Sequence, residues 1–149
     1  MWCRVFGLSS AGVQPAELLE HLRGAGMQVQ GHFRGDDEGW FEAQLVLDNW
    51  SLTLSRFLAT EEGVRGELNA WAAWVELQER NLHRDLLMRQ LIAVKQVFTL
   101  EVPEDATDVA PLSHLAMELC RYLAATTSGF YQQDGRGVCA ADGTNLVPE

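Results

Sequence analysis

Apolar and polar positions alternate along the first third of the chain. Residues 2–8 read as a first strand, and a turn follows through "GLSSAGVQ". That turn leads into a short helix with Pro15 near its start and Gly24 and Gly26 at its end. Met27, Val29, Gly31 and Phe33 then alternate with Gln28, Gln30, His32 and Arg34, the period-2 pattern of a strand with one buried and one wet face. The polar run "RGDDEG" leads into a returning strand over residues 40–47. Asp48-Asn49 makes a two-residue turn, and residues 50–58 alternate again through Leu52, Leu54 and Arg56.

The period changes after Thr60. Val64, Leu68, Trp71 and Val75 define one apolar stripe of a helix, with Glu62, Arg65, Asn69, Glu76 and Arg80 on its other side. "RNLHRD" interrupts it, and a second short helix covers residues 86–94. "QVFTLEV" is a strand that stops before Pro103, and Asp108 is placed to cap the next helix. That helix has Leu112, Leu115, Ala116, Leu119 and Leu123 as its core face and ends by Gly129. Strand and helix runs are largely segregated. The pattern therefore predicts one α+β domain over residues 1–149, with order β-α-β-β-β-α-α-β-α-β-β(-β). Its sheet is antiparallel and its helices pack mainly on one face.

The stretch "FYQQDGRGVCAADGTNLV" tests whether the chain ends in an ion or phosphate loop. An EF-hand loop needs oxygen ligands at its third and fifth positions. Counting from Asp134 finds Arg136 and Val138, and counting from Asp142 finds Thr144 and Leu146. Gly135-Arg136-Gly137 lacks the Walker lysine and a following helix. Two Asp-Gly pairs suit type I′ turns instead, with a strand over residues 136–141 between two others.

Composition narrows the function. With 47% apolar and 21% charged residues, the chain has the make-up of a soluble globular domain and needs no disulfide or metal to fold. The net charge is −10, and Lys95 is the only lysine among eleven cationic side chains. Without a basic patch, nucleic acid is not an expected partner, whereas a basic protein is. No apolar run reaches the roughly 18 residues of a membrane span. The N-terminal residues lack a basic start followed by an apolar core. Cys3, Cys120 and Cys139 form no CxxC pair and fall at apolar positions, as buried thiols of a cytoplasmic protein would. An exposed edge strand at the C-terminus would allow a homodimer.

Catalytic signatures are sparse. His21, His32, His83 and His114 show no HExxH spacing, no Gly-x-Ser-x-Gly elbow occurs, and no cofactor or metal is expected. On a helical wheel Glu67 falls between Trp71 and Trp74, where flanking indoles would raise a carboxyl pKa for acid–base work. With Arg65 these residues would line a pocket between sheet and helices. The other polar concentration is the wet strand face, with Gln28, Gln30, His32 and Arg34 in one row and Glu42 and Gln44 beside it.

The segments "EEGVRGELNAWAAWVEL" and "LAATTSGFYQQDGRG" resemble parts of small bacterial α+β proteins of unknown function. The resemblance implies a bacterial cytosolic domain and brings no activity or site residue with it. The residues themselves favour a non-catalytic protein-binding or regulatory domain, immunity-type proteins being one form, docking a partner on the wet sheet face. The alternative is a small-molecule binder or enzyme built around Glu67.

Overall fold

A computed structural model describes residues 1–79 and 81–149. Strand β1 (Trp2–Gly7) is followed by helix α1 (Pro15–Gly24) and the meander β2 (Gln30–Asp36), β3 (Gly39–Leu47) and β4 (Trp50–Leu58). Helices α2 (Val64–Glu76) and α3 (Arg84–Ile92) precede β5 (Gln96–Glu101). A 3-10 turn at Glu104–Ala106 leads to α4 (Ala110–Thr126), and β6 (Phe130–Gln133), β7 (Gly137–Ala140) and β8 (Asn145–Pro148) complete the chain. The expected element order is therefore present, with the third terminal strand included. Arg80, assigned from the sequence to the polar side of a helix, lies outside the described residues.

All eight strands join one antiparallel sheet in the order β2-β3-β4-β5-β1-β6-β7-β8. The two chain-local meanders form its flanks. The centre is made by β1, which pairs with β5 through Val5↔Phe98 and with β6 through Val5↔Tyr131.

The helices are divided between two faces, in contrast to the cover mainly on one face that the pattern suggested. Leu18 and Leu22 of α1 and Leu112, Leu115, Leu119 and Leu123 of α4 bury against Cys3, Val5, Leu45, Leu54, Phe98 and Leu100. Val64, Leu68 and Val75 of α2 and Leu87 and Leu91 of α3 pack with Phe6, Val97, Phe130, Val138 and Val147. Adjacent strand residues, Val5 and Phe6 or Phe98 and Val97, enter different clusters because successive side chains point to opposite faces. Each fully buried leucine contributes roughly 1.5–3 kcal/mol of hydrophobic stabilisation. The second layer receives no residue from β2, β3 or β4, so that half of its sheet face is left open.

Three local details differ from expectation. Val109, with no side-chain cap, stands where Asp108 was expected to cap α4. Ser128 takes the left-handed conformation after α4 (φ 55°). Gly129 is required for space, because a Cβ there would collide with the Phe6 carbonyl. In the terminal meander only Gly135, Gly137 and Gly143 take positive φ (81°, 97° and 92°). Neither Asp-Gly turn is therefore type I′, which needs two successive positive φ values.

Candidate functional site

Alternation along β1 sends Trp2, Arg4 and Phe6 toward α2, away from Cys3 and Val5. Arg4 thus stands in the middle of a central strand, between Thr99 of β5 and Gln132 of β6. Its Nη1 donates to Gln132 Oε1 at 2.7 Å and to Asp134 Oδ1 at 3.2 Å. Its guanidinium carbon lies 5.0 Å from the centre of the Trp71 ring, a cation–π contact that fixes the plane of the fork.

Asp134 is the anchor of this arrangement. It follows β6 and accepts hydrogen bonds from the Trp2 amide at 2.9 Å, from Gln132 Nε2 at 3.1 Å and from Arg4. Burial works to raise its pKa. The hydrogen bonds from Gln132 and Trp2 and the charge of Arg4 outweigh that burial, and hold the carboxyl below its ordinary value.

Between this floor and the start of α2 lies a cleft of about 500 Å³. Trp2, Phe6, Phe57 and Trp71 supply aromatic walls, Val64, Leu68 and Val97 aliphatic ones, and Arg4 and Thr99 polar groups on the sheet. Glu62 and Glu67 also line it and are solvent-exposed, which places them at the mouth. Among the described residues, Arg4 Nε and Nη2 have no hydrogen-bond partner, and neither nitrogen is shut off from solvent. One edge of the guanidinium is therefore open to the cleft.

The residues named from the sequence are partly brought together here. Glu67 and Trp71 line the cleft, Glu67 as an exposed carboxylate on its rim rather than one enclosed by two indoles. Trp74 stands behind Trp71, edge-on at 5.6 Å, and is not part of the lining. Arg65 points elsewhere, donating to the Ile92 carbonyl at 2.7 Å.

On the open half of the same face, β2 and β3 pair Arg34 with Glu42 and His32 with Gln44. Arg34 and Glu42 form an ion pair at 3.0 Å, and Arg34 also lies over Phe41 at 5.1 Å. Gln44 donates to Thr53 Oγ1 at 3.0 Å and accepts from Ser51 Oγ at 3.2 Å. Gln30 pairs with Val46 at the start of β2, and Gln28 is exposed just before that strand. The register carries one row of side chains from Arg34 through Glu42, Ser55, Thr99 and Arg4 to Gln132. The polar face and the cleft are thus continuous.

The sequence does not single out Arg4, Trp2, Phe57 or Thr99, and it offers Asp134 only as the start of a calcium loop that fails. The available signal was an arginine amid the apolar residues of the first strand. Its partner stands 130 positions away, beyond the reach of any periodicity. Among the described residues no group of three or more His, Cys, Asp or Glu is arranged to hold a metal, and no helix is long and apolar enough to cross a membrane. Comparisons with protein-family models, curated proteins and solved structures find no match to this chain.

Proposed function

We propose that the chain is a ligand-binding domain whose small-molecule ligand lies in the cleft between β1 and α2, against the open edge of Arg4. The observation that carries this reading is the half-satisfied guanidinium. Nη1 is anchored by Gln132 and Asp134, while Nε and Nη2 lack partners among the described residues inside an aromatic-walled cleft. A donor held in advance binds with little ordering cost. The volume and the mixture of apolar walls with few polar groups match small-molecule sites, which span roughly 300–1,000 Å³. Glu67 enters as a charge at the mouth. A screen of small aromatic and aliphatic acids, amines and amides by ligand-observed NMR tests the reading. Hits should be lost in Arg4→Gln and weakened in Trp71→Leu, with both variants checked for cooperative melting. Hits that bind both variants as well as the parent would refute it.

A protein partner docked on the open half of the sheet is the second reading. It is favoured by Phe41 of β3 and Phe57 of β4, which remain 37% and 38% exposed on the part of the sheet that carries Arg34, Glu42 and Gln44. Buried aromatics ringed by polar groups are the usual anchors of an interface, and the net charge of −10 suits a basic partner. A photo-crosslinking residue placed at Phe57 should capture such a partner in cells, while one at Tyr122, packed in the other helical layer, should not. Equal capture from both positions would exclude this surface.

A further inference from the structure

We infer that the ligand of the Arg4 cleft is a zwitterion of the hydrophobic α-amino-acid class, its carboxylate on Arg4 and its ammonium toward Glu62 and Glu67. This rests on the cleft being the binding site. Arg4 is already partly neutralised by Asp134 at 3.2 Å. Glu62 and Glu67 have no cationic partner among the described residues. Glu101, between Trp2 and Thr53 in the sheet, adds a further exposed carboxylate on this face.

Three simpler ligand classes each leave a charged group unmatched. A plain anion would satisfy Arg4 but meet uncompensated carboxylates at the mouth, and a phosphate dianion would fare worse. A plain cation would suit the glutamates but leave the open guanidinium edge unpaired and repelling it. A neutral apolar molecule would fill the space between Phe6, Phe57, Trp71 and Val97 while stripping water from Nε and Nη2 without replacing it. An apolar body bearing one carboxylate and one ammonium satisfies walls, floor and mouth together. The two adjacent nitrogens Nε and Nη2 also offer the side-on fork that takes a carboxylate bidentately.

Isothermal titration calorimetry at low ionic strength with L-phenylalanine, L-leucine and L-tryptophan tests the inference. At least one should saturate. Its own des-amino acid and its own decarboxylated amine should each bind about tenfold more weakly or worse, since each loses one charge-assisted contact. Glu62→Gln combined with Glu67→Gln, both exposed and remote from the core, should bring the des-amino acid close to the parent amino acid. Arg4→Gln should abolish the preference for the carboxylate. If an acid or amine binds as tightly as its amino acid, and does so only with Arg4 present, the zwitterion assignment falls while the cleft remains the binding site. If none of the three amino acids saturates up to ~10 mM, weaker than small ligands of even modest affinity, the assignment is overturned, and the NMR screen against Arg4→Gln separately judges the cleft.

Discussion

Replacing Asp134 by asparagine should loosen the floor of the cleft and the sheet together. The carboxylate accepts from the Trp2 amide through Oδ2 and from Arg4 and Gln132 through Oδ1. An asparagine keeps one acceptor oxygen and turns an NH₂ toward a group that is itself a donor, so at least one partner is lost. A hydrogen bond to a charged group is worth about 1.5–3 kcal/mol net. The Arg4 and Asp134 side chains are 24% and 40% exposed, so water screens the pair and the lower part of that range applies. The expected cost is about 1–2 kcal/mol at pH 7, measured by urea denaturation of parent and variant over a pH series. The folded carboxyl titrates below its ordinary value. Its contribution is therefore fully present above the unfolded pKa of about 3.9 and is lost as pH falls through the folded value. The difference between parent and variant should be constant from pH 7 to about pH 5 and shrink below about pH 4. A cost that is absent at pH 7, or that is the same at pH 3 as at pH 7, would refute the role given to Asp134. Asp142→Asn is the comparison. The exposed Asp142 carboxyl is also held below its ordinary value by its hydrogen bonds with Thr144, the amide at 2.9 Å, but asparagine retains that acceptor, so the loss should be smaller than for Asp134→Asn.

The terminal meander offers a second contrast. Gly137→Ala should cost about 2–4 kcal/mol, because φ is 97° and the new Cβ would strike the Val147 carbonyl. Gly135→Ala meets no neighbouring atom and should cost only the left-handed strain of about 1–2 kcal/mol; equal losses would show that the close approach of β7 and β8 is unimportant. Tyr131→Phe should leave stability unchanged or raise it by about 1 kcal/mol, since the buried hydroxyl has no well-formed hydrogen bond among the described residues and only the weakly bonding Cys139 thiol beside it. Burial pushes the Tyr131 phenol up to about 12, so ultraviolet titration should show one tyrosine ionising late, and two ordinary phenols would contradict that burial. Cys3, Cys120 and Cys139 are at most 2% exposed and should react with a thiol reagent only as fast as the chain unfolds; rapid modification of native protein would be inconsistent with the packing.

Local periodicity is sufficient for much of this molecule. Alternation at residues 27–34 and 50–58 places β2 and β4, and the Val64, Leu68, Trp71, Val75 stripe places α2 with its buried side correctly oriented. The Asp-Gly pairs mark where the final strands turn back, although not by which turn. Such features depend on neighbours a few residues apart, which is the range over which backbone geometry repeats. The division of helices between two faces is of another kind. An amphipathic pattern requires each helix to bury one side but does not say which face of a sheet receives it. The position of β1 between β5 and β6 is decided only when segments about a hundred residues apart pair. The cleft follows from that pairing. An arginine in the first strand reads as an irregularity until Asp134, just after β6, and Trp71 of α2 meet it, and a wet strand face reads as ordinary solvation until its row of side chains is seen to run into the cleft. Sequence alone determined which residues must be buried and where the chain turns. The tertiary structure decided which polar residues face one another, because charge pairing across a sheet depends on strand order and register, and neither is written in local spacing.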